Sequence, residues 1–322
     1  MALWTEIKPA ELTAFSREAY AALDVGILNT ILPNLYQDQV KFTWRVNAVL
    51  DGTALFGEFD TEAPIGAEGG AEEKTMRLIP VMRKLRLSEY EQVTDLDRIR
   101  ALTEDKADKV VRFVINRLAQ ARAEALANGT LAINENWVVQ NVNFGRAANQ
   151  TRVVPATLWS AAGSDPVADL RAWSDRVADA SGVAPDLLVM SSRVATALGA
   201  RLAGAGYITS DTGVVSRAAV AEVLASHELP APTVFDGRVN GARLMDDNLL
   251  VLAPSGGAAG STVHAPTVES QDPRYGLRGN EPGIIAGVYS EDDPPVKWVL
   301  GKAVALPVLS NPNTTLSATP LA

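Results

Sequence analysis

The stretch from residue 40 to residue 128 restricts the fold of this chain more than any other. Val40, Phe42, Trp44 and Val46 alternate with Lys41, Thr43 and Arg45, which gives one apolar and one wet face, the pattern of a half-buried strand. A Gly-rich excursion over about residues 51–75 follows. It carries Phe56, Phe59, Pro64 and Ile65 among Gly52, Gly57, Gly66, Gly69 and Gly70, with no regular period. A second strand is expected from Thr75 to Leu87, where Leu85 and Leu87 alternate with Lys84 and Arg86. Pro80 removes a backbone donor there, as an edge strand tolerates. The two strands read as partners in an exposed ribbon. Such a hairpin cannot bury its own apolar residues and is marginal alone in water, so it calls for a neighbouring subunit.

A long helix comes next. Thr94 to Asp97 reads as a Ser/Thr-x-x-acid cap, and Asn128-Gly129 supplies residues that tolerate the left-handed stop. Between them Ala107, Val110, Val111, Val114, Leu118, Ala121 and Ala125 fall on one stripe. Glu104, Asp105 and Asp108 come early and Arg117 and Arg122 late, in keeping with the helix dipole. Upstream, residues 9–23 read as a short helix behind Pro9, and residues 24–36 as a loop-like passage ending near Pro33.

Downstream, Leu131 to Phe144 reads as an Asn-rich strand and Val167 to Ala180 as a helix. Leu187 to Met190 is a buried strand leading to Ser191 or Ser192, either of which can cap a helix over 194–202. Ser216 to Leu229 is again helical. Leu249 to Leu252 is again a buried strand, before a Gly/Ala/Ser loop at 255–261. The middle of the chain therefore reads as its own α/β module. Val299 to Leu309 returns as a strand, with Pro307 at an edge or an end.

Composition narrows the function. A net charge of −9 argues against nucleic-acid binding as the main task, because phosphate binding draws on clustered Lys and Arg. The absence of cysteine removes disulfide scaffolds, thiolate zinc sites and cysteine nucleophiles together. The N-terminus has no basic and apolar leader pattern, and no run of ~18 apolar residues occurs, so the expectation is a soluble chain made in a cytoplasm.

Chemical motifs are sparse. His227 and His264 have no other metal-ligand type at a fitting spacing and read as surface or helix-end histidines. Asp211-Thr212-Gly213 matches the aspartic-protease tripeptide, but that chemistry needs two carboxylates and only one copy exists, so a dimeric hydrolase centred on Asp211 stands as a rival reading. The loop Gly256 to Thr262 lacks the lysine of a phosphate loop, and no Gly-x-Ser-x-Gly elbow is present. Glu72-Glu73 and Glu291 to Asp293 read as solvated acidic turns before they read as oxygen ligands for a divalent ion. Arg77, Arg83, Lys84 and Arg86 either pair with acidic patches on a neighbour or keep an edge strand from uncontrolled pairing. With no strong catalytic signature and no cofactor motif, assembly is the favoured task.

The order of elements resembles the major capsid proteins of tailed phages, in particular the lambda-type capsid protein E family with the Hong Kong 97 coat fold. The resemblance is carried by Pro33 to Tyr36 leading into Val40 to Phe42, and by Phe59 to Ile65. Pro185 to Ser191, Pro294 to Trp298 and Leu306 to Leu309 complete it. It implies an α+β chain with an N-terminal arm (1–40), an extended ribbon loop (41–93) and a peripheral domain with a long spine helix (94–183). An axial α/β domain (184–290) and a return to the peripheral domain (291–322) follow. It implies no catalytic residue, no metal and no cofactor. Trp44, Phe56, Phe59, Pro64, Ile65, Arg77, Arg83 and Lys84 are the expected subunit-interface residues. The implied partners are copies of itself in pentamers and hexamers, a separate scaffolding protein, a portal, a decoration protein and packaged double-stranded DNA. The implied location is the virion capsid, with assembly in the host cytoplasm. The nearest rival is an encapsulin-like compartment of the same fold. Covalent crosslinking, which would need a Lys such as Lys74 and an Asn partner, is not implied by any residue pattern.

Overall fold

The computed structural model describes residues 7–46, 72–94, 98–208, 215–292 and 295–321. In chain order they form helices α1 (Pro9–Leu23) and α2 (Ile27–Ile31), then strands β1 (Asn34–Tyr36), β2 (Lys41–Val46), β3 (Glu72–Arg77) and β4 (Pro80–Leu87). Helices α3 (Glu89–Thr94) and α4 (Ile99–Asn128) precede strands β5 (Thr130–Glu135) and β6 (Val138–Asn143). Next come α5 (Pro166–Ser181), β7 (Leu187–Met190), α6 (Ser192–Gly204), α7 (Arg217–Ser226), β8 (Pro232–Val234), β9 (Arg238–Val239) and β10 (Ala242–Arg243). The chain closes with β11 (Leu250–Ala253), β12 (Ser261–Ala265), β13 (Ile285–Asp292), β14 (Pro295–Val308) and β15 (Leu316–Ala318). Among the described residues the result is an α+β fold with two main sheets, each packed against helices, and three two-stranded ribbons, β2–β3, β5–β6 and β9–β10. No helix among the described residues is long and apolar enough to cross a membrane.

β14 organises the larger sheet. Its residues 297–304 pair antiparallel with β4, residues 295–302 with β13 and residues 304–308 with β12, while β1 joins β12 in parallel. Lys302 pairs with both Met82 and Ile285, and Val304 with both Pro80 and Ala265, so β4 lies on one side of β14 and β12 and β13 share the other. Val299, Ala303 and Ala305 point from one face of β14 into the apolar stripe of α4, where Ala107, Val110, Val111, Val114 and Leu118 are fully buried. The stripe predicted from sequence is therefore the buried face of the helix. Gly129 ends α4 in the left-handed region at φ 65°, its N–H bonded to the Ala125 carbonyl at 2.8 Å. Gly301 lets helix and strand approach, since a Cβ there would lie 2.8 Å from Val110 Cγ2.

The smaller sheet runs β15-β11-β7-β8 and packs with α5, α6 and α7 around a second core. β7 and β11 are almost wholly apolar, as strands covered on both faces must be. Ser191 caps α6 by accepting the Val194 N–H at 3.1 Å, and Ser216 caps α7 in the same way through Ala219.

Four expectations are corrected. β2 pairs with β3, not with the whole of residues 75–87: the strand breaks at Leu78-Ile79, Leu78 is buried, and β4 leaves the ribbon for β14. An eight-residue ladder on a covered sheet outweighs continuation of a two-stranded ribbon. The capping box sits at Ser88 and Glu91, where Glu91 Oε2 accepts the Ser88 N–H at 2.7 Å and Ser88 Oγ accepts the Glu91 N–H, so Thr94 ends α3 and does not cap α4. Residues 131–144 are a hairpin whose Asn136-Trp137 turn places both residues at positive φ, a type of turn that the tryptophan disguises in the sequence. Residues 24–36 contain α2 and β1 in place of a plain loop. α5 packs in the second core, β12 lies in the larger sheet, and β15 ends in the smaller one.

Gly301→Ala is expected to lower unfolding stability by about 1–3 kcal/mol, because Val110 on a buried helix face has little room to yield. Gly204→Ala, which meets open space at the end of a helix, serves as the control and leaves urea unfolding unchanged or shifts it slightly upward.

Candidate assembly surfaces and their anchors

The ribbon is fixed at its base. β2 and β3 pair from Lys41 with Arg77 to Val46 with Glu72. Trp44 is buried, with its ring 6.3 Å from that of Phe144 and 6.0 Å from that of Phe42. Ile133, Val142 and Met76 complete this cluster, which docks the ribbon on the β5–β6 hairpin. Trp44 thus anchors the ribbon base within its own subunit. Phe56, Phe59, Pro64 and Ile65 lie outside the described residues.

The basic residues separate. Arg77 is exposed at the end of β3, across from Lys41. Arg83 and Lys84 lie on β4 in the larger sheet, not on the ribbon, and each covers an aromatic ring of its own chain. The Arg83 guanidinium is 5.7 Å from the Phe113 centroid and the Lys84 ammonium 4.2 Å from that of Trp298.

A buried ionic cluster ties the N-terminal segment to the body. Arg122 of α4, 1% exposed, donates to both carboxylate oxygens of Asp24 at 2.5 and 2.9 Å, to Asn34 Oδ1 at 2.8 Å and to Thr262 Oγ1 at 2.7 Å. Asn34 Nδ2 donates to Asp24 at 2.8 Å, and Thr262 donates to the Leu32 carbonyl at 3.0 Å. Helix α4, the loop after α1, strand β1 and strand β12 meet there. Burial pushes Asp24 up, but the Arg122 fork and charge outweigh it and hold the carboxyl below its ordinary value.

His264 belongs to the same cluster and is corrected from a surface residue to a buried one. Its Nε2 lies 3.0 Å from Asn34 Oδ1, an acceptor already engaged by Arg122, so the neutral ring carries its proton on Nε2. Tyr20 Oη stands 3.4 Å away, and His264 Nδ1 has no hydrogen-bond partner among the described residues. Burial first, then the Arg122 charge, pushes the imidazole down to about 4.

Arg146 makes a second anchor. It donates to the last-turn carbonyls of α4, Leu126 at 2.6 Å and Ala127 at 2.8 Å, and to Ser317 Oγ of β15 at 3.0 Å. The orphan carbonyls of a helix end thereby bind the final strand. Sequence reading missed both anchors. The available signal was Arg122 at the fourth position after Leu118 and the third before Ala125, inside the apolar stripe.

Among the described residues, the remaining candidates form no site. Asp211 to Gly213 lies outside the described residues, and no group of three His, Cys, Asp or Glu able to hold a metal occurs among the described ones. His227 sits at the end of α7 against Tyr207, as a helix-end histidine. Ser255 is bonded to Asp186, and Gly256 donates to the Thr30 carbonyl at 3.1 Å, which makes the Gly-rich loop a packed turn.

Arg122→Met is expected to cost about 3–5 kcal/mol by leaving Asp24 charged and buried without its partner. Arg122→Lys recovers little, since an ammonium cannot span both oxygens and Asn34, and chemical unfolding measures each. The folded pKa of His264 lies below the unfolded value of 6.5, so the unfolded chain binds the extra proton. The stabilisation is complete above pH 6.5 and fades as pH falls toward about 4. His264→Gln is expected to flatten that window by about 2–3 kcal/mol in stability against pH.

Comparison with known proteins agrees with this architecture. The family model described as phage major capsid protein E matches residues 74–203, from β3 through the spine helix to α6. No curated protein sequence matches the chain. Among solved structures, a candidate capsid protein of an E. coli prophage is 15% identical over 99% of this chain and 100% of its own, with a TM-score of 0.68. A phage-related protein of Bordetella bronchiseptica is 14% identical over 98% of both chains, with a TM-score of 0.59. An encapsulin complex of Synechococcus elongatus is 13% identical over 92% of this chain and 90% of its own, with a TM-score of 0.52. These likenesses show the Hong Kong 97 coat fold. Residues 74–203 thus match the phage major capsid protein E family, and the chain is built on the coat-protein fold along nearly its whole length.

Proposed function

We propose that this chain is the major coat subunit of a tailed phage or prophage, and that it assembles as pentamers and hexamers into a closed icosahedral shell around double-stranded DNA. The observation that carries the reading is the family match across the ribbon's return strand, the spine helix and the step into α6, on a fold shared with a prophage protein along 99% of the chain. A structural role in place of an enzymatic one fits that family and fold. The encapsulin-type rival shares the fold, whereas the family match favours the phage reading.

The ribbon supplies the mechanism. Its base is held by Trp44, and the apolar Phe56, Phe59, Pro64 and Ile65 of the intervening segment give a neighbouring subunit something to cover. Arg77 at the base of the ribbon, with Arg83 and Lys84 at the nearby sheet edge, adds cationic surface that sets register against an acidic neighbour. Interfaces of this kind run to about 2,000 Å² and more in obligate assemblies. The net charge of −9 suits an inner surface that encloses DNA without sticking to it. A separate scaffolding protein, a portal and a decoration protein complete the proposed partners.

Negative-stain electron microscopy of the protein expressed with and without its neighbouring viral genes tests the reading. Closed shells, or rings of five and six, are expected, while a uniform monomer or dimer under every condition overturns it. Phe56→Asp and Phe59→Asp are each expected to abolish shells while leaving the circular dichroism melt of the subunit unchanged. Wild-type shell yield from both variants would remove the ribbon from the mechanism.

A further inference from the structure

The β5–β6 hairpin turns at Asn136-Trp137, with φ of 44° and 66°. Trp137 is fully exposed at 103%, and its neighbour Val139 is 80% exposed. A single exposed apolar side chain needs no explanation. Here, however, the exposed indole sits in the chain between Asn136 and Val138, both of which line a cavity of about 340 Å³. The cavity opens between β4, α4 and the same hairpin, and Val81, Phe113, Ile133 and Val138 supply apolar walls. Arg83 and Arg117 also line it, and Arg117 is held to Glu135 at 3.1 Å. Apolar walls with guanidinium groups at the side suit an electron-rich aromatic ring.

Knob and hole share one piece of chain. Glu135, Asn136 and Val138 line the cavity, and Trp137 between them does not. With knob and hole this close in the chain, a two-fold arrangement that seats the indole of one copy in the cavity of a second also seats the second copy's indole in the first copy's cavity. That reciprocity is the condition for a closed two-fold contact. We propose that Trp137 is an assembly anchor that enters this cavity on a second copy of the chain, in a reciprocal contact about a two-fold axis. Buried aromatic anchors in desolvated pockets carry much of the energy of protein interfaces, and a second copy is the partner this self-complementary surface fits. The inference deepens the coat-subunit reading by naming a contact outside the ribbon.

The chain has no cysteine, so site-directed crosslinking has no background. Trp137→Cys and Asn116→Cys, the latter on the cavity wall, are prepared separately, mixed under assembly conditions and mildly oxidised. A disulfide-linked dimer that requires both variants is expected. A control mixture of Trp137→Cys with Val268→Cys, exposed elsewhere, gives none. In parallel, Trp137→Ala is expected to lower the assembled fraction at least tenfold with an unchanged melt, and Trp137→Phe to retain most of it. Absence of the mixed dimer overturns the proposal. So does preferential linkage of Trp137→Cys to itself, which reports tip-to-tip contact, or wild-type assembly by Trp137→Ala, which leaves the indole to a different protein. Normal shells without the mixed dimer remove this contact and keep the coat reading. A mixed dimer in a protein that never forms shells or rings keeps the contact and removes the coat reading.

Discussion

Val110 of α4 lies so close over Gly301 of β14 that a methyl group on the glycine would fall 2.8 Å from its side chain, and the remaining layers are arranged around that contact. The buried stripe of α4 covers one face of β14, and β14 in turn carries β4 on one side and β12 and β13 on the other. Close packing leaves no room to slide the helix along the sheet, since interiors are packed like organic crystals. The position of the ribbon base, the hairpin and the N-terminal segment all follow from where this helix is clamped.

Two buried arginines, Arg122 on α4 and Arg146 after β6, convert that clamp into a specific arrangement. Arg122 and its partners join the loop after α1, β1 and β12 to the C-terminal part of the helix, while the side chain of Arg146 joins the helix end to β15. Buried ion pairs contribute little net stability against apolar replacements, but breaking one partner is costly. Their effect here is to fix which segments meet. The first and last strands of the chain are both held to one helix, so the ribbon and the second core are referred to a common frame. A coat subunit must repeat identical contacts many times, and a frame of this kind keeps the contact surfaces in fixed relation.

Division of residues 72–87 between two sheets gives the ribbon its shape. β3 continues the ribbon, Leu78 is buried at the break, and β4 becomes a sheet edge with Arg83 and Lys84 lying over Phe113 and Trp298. The cations at that edge are thereby held in place, a common defence of exposed strands against unplanned pairing. The Trp44 side chain, stacked into the hairpin cluster, stops the ribbon base from swinging.

The sequence by itself determined the elements whose signal is local. The α4 stripe, the Gly129 stop, the Ser191 and Ser216 caps, the apolar β7 and β11 and the alternation of β2 are each set by spacing or backbone preference within a few residues, and all are present in the structure. The aromatics of the Gly-rich excursion and the order of elements were enough to indicate assembly and the coat fold. Tertiary structure decided what depends on partners far away in sequence. Residues 80–87 have the same alternation whether they pair with β2 or β14, and only the longer ladder on a covered sheet chooses between them. Arg122 looks like a dipole-compensating residue until Asp24 and Asn34, about ninety residues earlier, surround it. His264 looks like a surface histidine until β12 is placed under Tyr20 and beside β1. Trp137 looks like an ordinary strand residue until both turn angles are positive and a cavity opens beside it. Local pattern records which face of an element is apolar, and pairing energy between distant segments decides which face it meets.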